Sequence, residues 1–202
     1  MKKVLITGAN KSIGFESARQ LLEKGYFVYL GSRDLQNGEE AVAKLKADGF
    51  PQNAITIDPD NIRKVFDTNF FGTISVTQAF IDLLKKSDEP RIVNVTSGLA
   101  SLTMHSDPSS RFYNFKSAAY GPSKTALNAY TIVLAYELKD TAFRVNAVDP
   151  GYTATDFNRH SGPGTVENAA KIIVKYATVG ADGPNGRFFS NDVDGDSDEC
   201  PW

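Results

Sequence analysis

The chain is poor in the residues that build metal and disulfide sites. It has one cysteine, Cys200, and two histidines in 202 residues. A lone cysteine excludes an intramolecular disulfide and suits a reducing compartment. So few histidines and cysteines leave no donor set for a zinc site of the usual kind. An excess of charge of either sign is also absent: 22 Lys and Arg stand against 24 Asp and Glu, a net charge of -2. That balance provides no electrostatic footprint for nucleic acid or an anionic membrane. Long apolar runs are missing too. The opening Val4-Leu5-Ile6 is broken at once by Thr7-Gly8-Ala9-Asn10-Lys11, too short for a signal-peptide core, and no stretch approaches a membrane span. A cytoplasmic protein without nucleic-acid or membrane partners is the expectation.

What is present is an alternation of short strands and helices. Val4-Leu5-Ile6 reads as a strand buried on both faces. A turn follows, Thr7-Gly8-Ala9-Asn10-Lys11-Ser12-Ile13-Gly14, and then a helical pattern over 15–24 closed by Gly25. Strand, glycine turn and helix aim backbone N–H groups and the positive helix end at a phosphate. Gly8 suits the tight turn and Gly14 a close approach, while Ser12 stands where a third glycine is expected. A second strand over 26–32 completes a βαβ unit. Arg33 follows it, and with Lys11 would pair with a 2′-phosphate, favouring NADP over NAD; Asp34 is placed to cap the helix over 34–48.

A third strand, 54–57, ends at Asp58. Helical sequence then starts almost immediately and runs over 61–86, through Asn69 and Gly72, where a parallel crossover needs about a dozen residues or more. Residues 91–97 form a strand ending in Ser97, followed by a long loop over 98–116. A helix over 117–139 carries Tyr120-Gly121-Pro122-Ser123-Lys124, which puts Tyr120 and Lys124 on one face. A cation there would lower the pKa of a phenol that ordinarily titrates near about 10. Strand 144–148 leads into Asp149-Pro150-Gly151-Tyr152-Thr153-Ala154-Thr155, a helix follows over 165–176, and a last strand over 186–190. The acidic tail from Asn191 reads as solvated. The fold class is α/β: one domain, a Rossmann-type doubly wound parallel sheet in three layers.

Thr7-Gly8-x-x-x-Ser12-x-Gly14, Asp58, Asn69, Ser97, Tyr120-x-x-x-Lys124 and Pro150-Gly151 through Thr155 occur in order over nearly the whole chain. In that set the chain resembles the short-chain dehydrogenase/reductase family, and its carbonyl-reductase-like branch in the Ser-Gly after the fifth strand and the long loop before Tyr120. The resemblance implies an NADP(H)-dependent oxidoreductase reducing a small-molecule carbonyl to an alcohol. Tyr120 would be the general acid, Lys124 its activator and ribose contact, Ser97 the partner of the carbonyl oxygen, and Asn69 the support of a relay water. Gly8, Asn10, Lys11, Ser12, Ile13, Gly14 and Arg33 would hold the cofactor's phosphates, Asp58 its adenine, and Pro150, Gly151, Thr153 and Thr155 its carboxamide. Many relatives assemble through the helices at 61–86 and 117–139, which points to a homodimer or homotetramer, while the longer loop before Tyr120 is similar to that of relatives that stay monomeric, so the resemblance leaves both open. The rival reading is a catalytically silent dinucleotide-binding regulatory protein.

One departure is large. Between Asp58 and Asn69 the family places a helix and a central strand, and roughly three dozen residues are absent here against that pattern and the minimum crossover. Either the chain as written is interrupted near 58–61, the reading favoured by the intact remaining elements, or the protein carries a deletion that leaves backbone groups unpaired.

Overall fold

Among the described residues, six short runs form strands: β1 (Lys3–Ile6), β2 (Phe27–Gly31), β3 (Ala54–Ile57), β4 (Arg91–Val95), β5 (Arg144–Asp149) and β6 (Phe188–Ser190). In the computed structural model, which describes residues 3–6, 8–32, 34–50, 54–57, 59–193 and 197–202, all the named pairings are parallel. They make two three-stranded sheets, β1-β2-β3 and β4-β5-β6, where the sequence pointed to one. The chain correspondingly divides into two compact units, residues 1–64 and 65–202.

In the first unit, α1 (Ser12–Glu23) and α2 (Leu35–Ala47) alternate with the strands. Helix α1 starts three residues earlier than its apolar pattern suggests. Asp34 caps α2 as expected, accepting from the Asn37 N–H at 2.8 Å. Ala18 and Leu22 of α1, Val28 and Leu30 of β2, and Ala41 and Leu45 of α2 share one buried cluster. Val28 and Leu30 alternate with part-buried neighbours along β2, so both helices pack on one face of this sheet. Pro59 opens α3 (Pro59–Phe66), so only Asp58 separates that helix from β3.

The single helix expected over 61–86 is three segments. After α3 comes a wider π-helical stretch, Asp67–Phe71, and then α4 (Gly72–Leu84). In the second unit, α5 (Leu102–Ser106) and a 3-10 turn at Gly98–Ala100 give the loop over 98–116 a structure of its own. Helix α6 (Tyr120–Glu137) starts at Tyr120, which leaves Pro122 in the first turn, where its missing N–H has no partner to lose. Thr165 caps α7 (Val166–Ala177). Leu134, Ala135, Phe143 and Val145 pack between α6 and β5. Val148, Ile172, Tyr176 and Phe189 pack between the sheet and α7.

The tail is not a solvated terminus. Cys200 is buried and its N–H donates to the Phe188 carbonyl, while the Ser190 N–H donates to the Asp198 carbonyl. Asp198 is paired with Lys175 at 2.7 Å and accepts from the Tyr176 hydroxyl at 2.8 Å. Asp198 and Glu199, read as solvated, are matched by Lys175, Tyr176 and Arg187, all distant from them in sequence. Among the described residues no helix is long and apolar enough to cross a membrane.

Candidate active site

In the first unit, the glycine turn joins β1 to α1. Gly8 has φ +64°, and the adjacent Ala9 N–H donates to the Gly31 carbonyl at 2.9 Å, pinning the turn on β2. A Cβ on Gly14 would lie 2.5 Å from the Gly8 carbonyl oxygen, so turn and helix touch there. Ser12 has φ +53°, the left-handed conformation that explains why glycine suits this position. Its side chain is exposed, as are those of Lys11 and Ile13, and Lys11 at the N-cap makes no side-chain cap bond. The start of α1 thus presents an exposed cation with no side-chain cap bond, the kind of helix start at which an anionic group can be held. Thr7, Arg33 and Asp58 lie outside the described residues.

The second unit gathers Ser97, Tyr120, Lys124 and Asn69. Ser97 follows β4 by two residues, and its Oγ accepts from the Leu99 N–H at 3.2 Å. The Tyr120 hydroxyl is hydrogen-bonded to Ser97. Asn69, in the π-helical stretch, donates to Ser123 Oγ at 3.0 Å, and Ser123 donates to the Tyr120 carbonyl at 2.7 Å. Asn69 therefore ties to the first turn of α6 through Ser123 rather than to Lys124. Lys124 reaches β4 instead: its Nζ donates to the Val95 carbonyl at 3.0 Å, and lies 5.8 Å from the centroid of the Tyr120 ring.

These contacts correct one expectation. Burial pushes the Tyr120 phenol above its ordinary pKa, the Ser97 hydrogen bond opposes the rise, and the Asp149 charge adds to it. The ammonium read as lowering that pKa is committed to Val95, and burial lowers the pKa of Lys124 itself.

Asp149 is the site residue that sequence reasoning missed. Its carboxylate is buried at the end of β5 and accepts from Ser190 Oγ at 2.6 Å and from the Gly151 N–H at 3.0 Å. Burial, ahead of every other influence, raises its pKa. The available signal was its place: a carboxylate at the carboxyl end of a parallel strand, where ligands of such folds bind. Beyond it, Gly151 has φ +81°, and a Cβ there would come within 3.2 Å of Asp192 Oδ1. Asn158 clamps the following loop, donating to the Thr153 carbonyl at 2.7 Å and accepting from the Thr155 N–H at 3.0 Å. Pro150, Gly151, Thr153 and Thr155 thus form one internally bonded turn beside Asp149.

Parallel sheets flanked by helices, with Ser97, Tyr120 and Lys124 gathered at a strand's carboxyl end, define a Rossmann-type α/β oxidoreductase. The profile of the short chain dehydrogenase family matches residues 2–60 and 51–165, and the chain belongs to that family. Salutaridine reductase of Papaver bracteatum is 29% identical over 294 residues, covering 94% of this chain and 94% of its own length. The (-)-isopiperitenone reductase of Mentha piperita is 29% identical over 302 residues, covering 93% and 96%. The solved structure of salutaridine reductase from Papaver somniferum, 26% identical, aligns with a TM-score of 0.51 over 95% of this chain and 100% of that one. An aligned span of 294 residues exceeds this chain's 202, so the Papaver bracteatum protein carries residues inside that span that this chain lacks. The family profile breaks in two at 51–60, around the passage from β3 to α3.

Proposed function

We propose that this protein reduces the carbonyl of a small aldehyde or ketone to an alcohol at the expense of NADPH, with Tyr120 as general acid. The observation that carries the reading is the Tyr120 hydroxyl bonded to Ser97, with Lys124 Nζ 5.8 Å from the centroid of its ring. The reductase names of its relatives support the direction of reaction.

Each residue has a definable part. A phenol held above its ordinary pKa by burial stays protonated at neutral pH, and so has a proton to give to a carbonyl oxygen. Ser97 stabilises the negative charge that develops on that oxygen as the carbon is reduced. Lys124 supplies positive charge beside the phenol, and Asn69 and Ser123 hold the turn from which Tyr120 projects. The bound nicotinamide supplies hydride. Gly8, Asn10, Lys11, Ser12, Ile13 and Gly14 would hold the dinucleotide's phosphates, Arg33 with Lys11 its 2′-phosphate, and Asp58 its adenine. Pro150, Gly151, Thr153 and Thr155 would hold the carboxamide. The reading includes a cytoplasmic protein that assembles as a homodimer or homotetramer.

The test is NADPH consumption with a panel of aldehydes, ketones and quinones, run beside NADH. Tyr120→Phe should lower the rate on the order of 10²–10⁴-fold, the usual contribution of a positioned acid. Cofactor binding without turnover on any carbonyl would instead support a dinucleotide-binding regulatory role.

A further inference from the structure

Helix α5 and the first turns of α6 enclose a cavity of about 250 Å³. The crevice is fastened at its base, where Thr125 Oγ1 donates to the Ala100 carbonyl at 3.0 Å and ties α6 to the turn preceding α5. Leu99, Leu102 and Pro122 give it apolar walls, and His105, Lys116 and Ser117 line it as well. Ser97, Tyr120 and Lys124 do not, because the cavity meets α6 at Gly121 and Thr125, which share the neighbouring face of that helix.

Two groups in this cavity lack a counterpart. Lys116 Nζ donates to the His105 carbonyl at 2.7 Å, and among the described residues no carboxylate pairs with it. The carboxylate nearest to it in sequence, Asp107, is taken up by Ser109, accepting from its N–H at 2.8 Å and its Oγ at 2.7 Å. The second group is the His105 ring, whose Nδ1 lies 3.4 Å from Lys116 Nζ. An ammonium attracts a lone pair and repels an N–H, so Nδ1 is the acceptor and the ring hydrogen sits on Nε2. Burial, and then the Lys116 charge, lowers the His105 pKa and keeps the ring neutral at neutral pH. Nε2 is buried, and among the described residues it has no partner. A buried donor is costly to leave unpaired.

We infer that this cavity binds a small carboxylate anion with a short apolar body, its charge held by Lys116 and the Nε2–H of His105 and its hydrocarbon laid against Leu99, Leu102 and Pro122. Entry of the anion turns the His105 ring so that Nε2 meets it. The walls dictate this chemistry. An ammonium and a neutral N–H are both donors, which repels a cation and suits an anion. The apolar walls reward a hydrocarbon body and leave a bare inorganic anion without contacts. The volume falls below the about 300–1,000 Å³ of sites for drug-sized ligands, so the occupant is small.

The experiment titrates the isotope-labelled full chain with acetate, butanoate and hexanoate at neutral pH and follows the Leu99 and Leu102 methyl and His105 ring signals. Saturable shifts are expected at all three residues, with hexanoate binding at least about threefold more tightly than acetate. Hexanamide, the same body without the charge, should bind at least about tenfold more weakly than hexanoate. Lys116→Met should weaken hexanoate by a similar factor, and Lys116→Arg should restore most of it. Leu102→Glu, at a position 64% exposed and so outside the core, should abolish binding by setting a like charge in the wall. Urea midpoints show that each variant is folded. No saturable shift, equal binding of hexanamide, or an unchanged affinity in Lys116→Met overturns the inference. Inorganic phosphate that displaces hexanoate at equal concentration overturns it in favour of a plain anion site. Tyr120→Phe should bind hexanoate unchanged, and loss of binding there overturns the inference in favour of the site around Ser97. NADPH consumption is read separately. Binding without turnover on any carbonyl leaves the inference standing and removes the reductase reading; turnover without binding does the reverse.

Discussion

Tyr120 is held by neighbours that pull its proton affinity in opposite directions. Burial and the Asp149 carboxylate raise its pKa, and Ser97 lowers it. The protonated phenol should therefore persist through neutral pH, and carbonyl reduction should fall only as pH rises through the elevated Tyr120 pKa. Oxidation of an alcohol, which needs the phenolate, should gain over the same window. Asp149→Asn removes the nearby negative charge, so its alkaline limb should move to lower pH than in the unsubstituted protein. Rate profiles of both proteins check this, and an unmoved limb would separate Asp149 from Tyr120. Asp149 was not legible as a site residue because its importance comes from burial and from Ser190, 41 positions further on. Tyr120 and Lys124 were legible because their proximity is local helix geometry. Which carbonyl Lys124 would reach was not.

At the scale of elements, the glycine turn makes opposite demands at two positions. Gly14→Ala would press a Cβ against backbone at 2.5 Å, which the chain relieves only by shifting α1. The expected loss is about 1–3 kcal/mol in urea unfolding, with weakened cofactor binding. Ser12→Gly relieves a left-handed serine and should stabilise by up to about 1 kcal/mol. Both helices around the turn were legible in outline, since 3.6-residue periodicity and caps such as Asp34 are written locally. The π-helical stretch was not. One extra residue in a helical ladder leaves the apolar pattern of Phe66, Phe70 and Phe71 continuous with that of α4.

For the whole molecule, the sequence showed the α/β class and the strand sequence but not the partition into two sheets. Pairing partners lie far apart in the chain, and a short β3-to-α3 passage does not announce which strands it leaves unpaired. The tail was misread for the same reason: Asp198 and Glu199 look solvated until Lys175, Tyr176 and Arg187 are placed beside them. Ending the chain at Ser197 should uncover Phe188, which stacks on Trp202 at 5.6 Å, and lower stability by about 2–5 kcal/mol, read as a reduced urea midpoint. Cys200, whose thiol burial pushes up to about 12, should react with thiol reagents only after unfolding. Assembly is a proposal open to the same kind of measurement. Ile132, Val133 and Tyr136 leave an exposed apolar stripe on α6, and Tyr136→Glu should shift sedimentation equilibrium toward the monomer. The residues at 67–71 carry a different consequence, for how this chain can change length. A π-helical turn holds one residue more than the α-helix it interrupts. Removal of Phe71 should therefore be absorbed as a regular helix, making this a natural point at which the chain tolerates a single-residue loss.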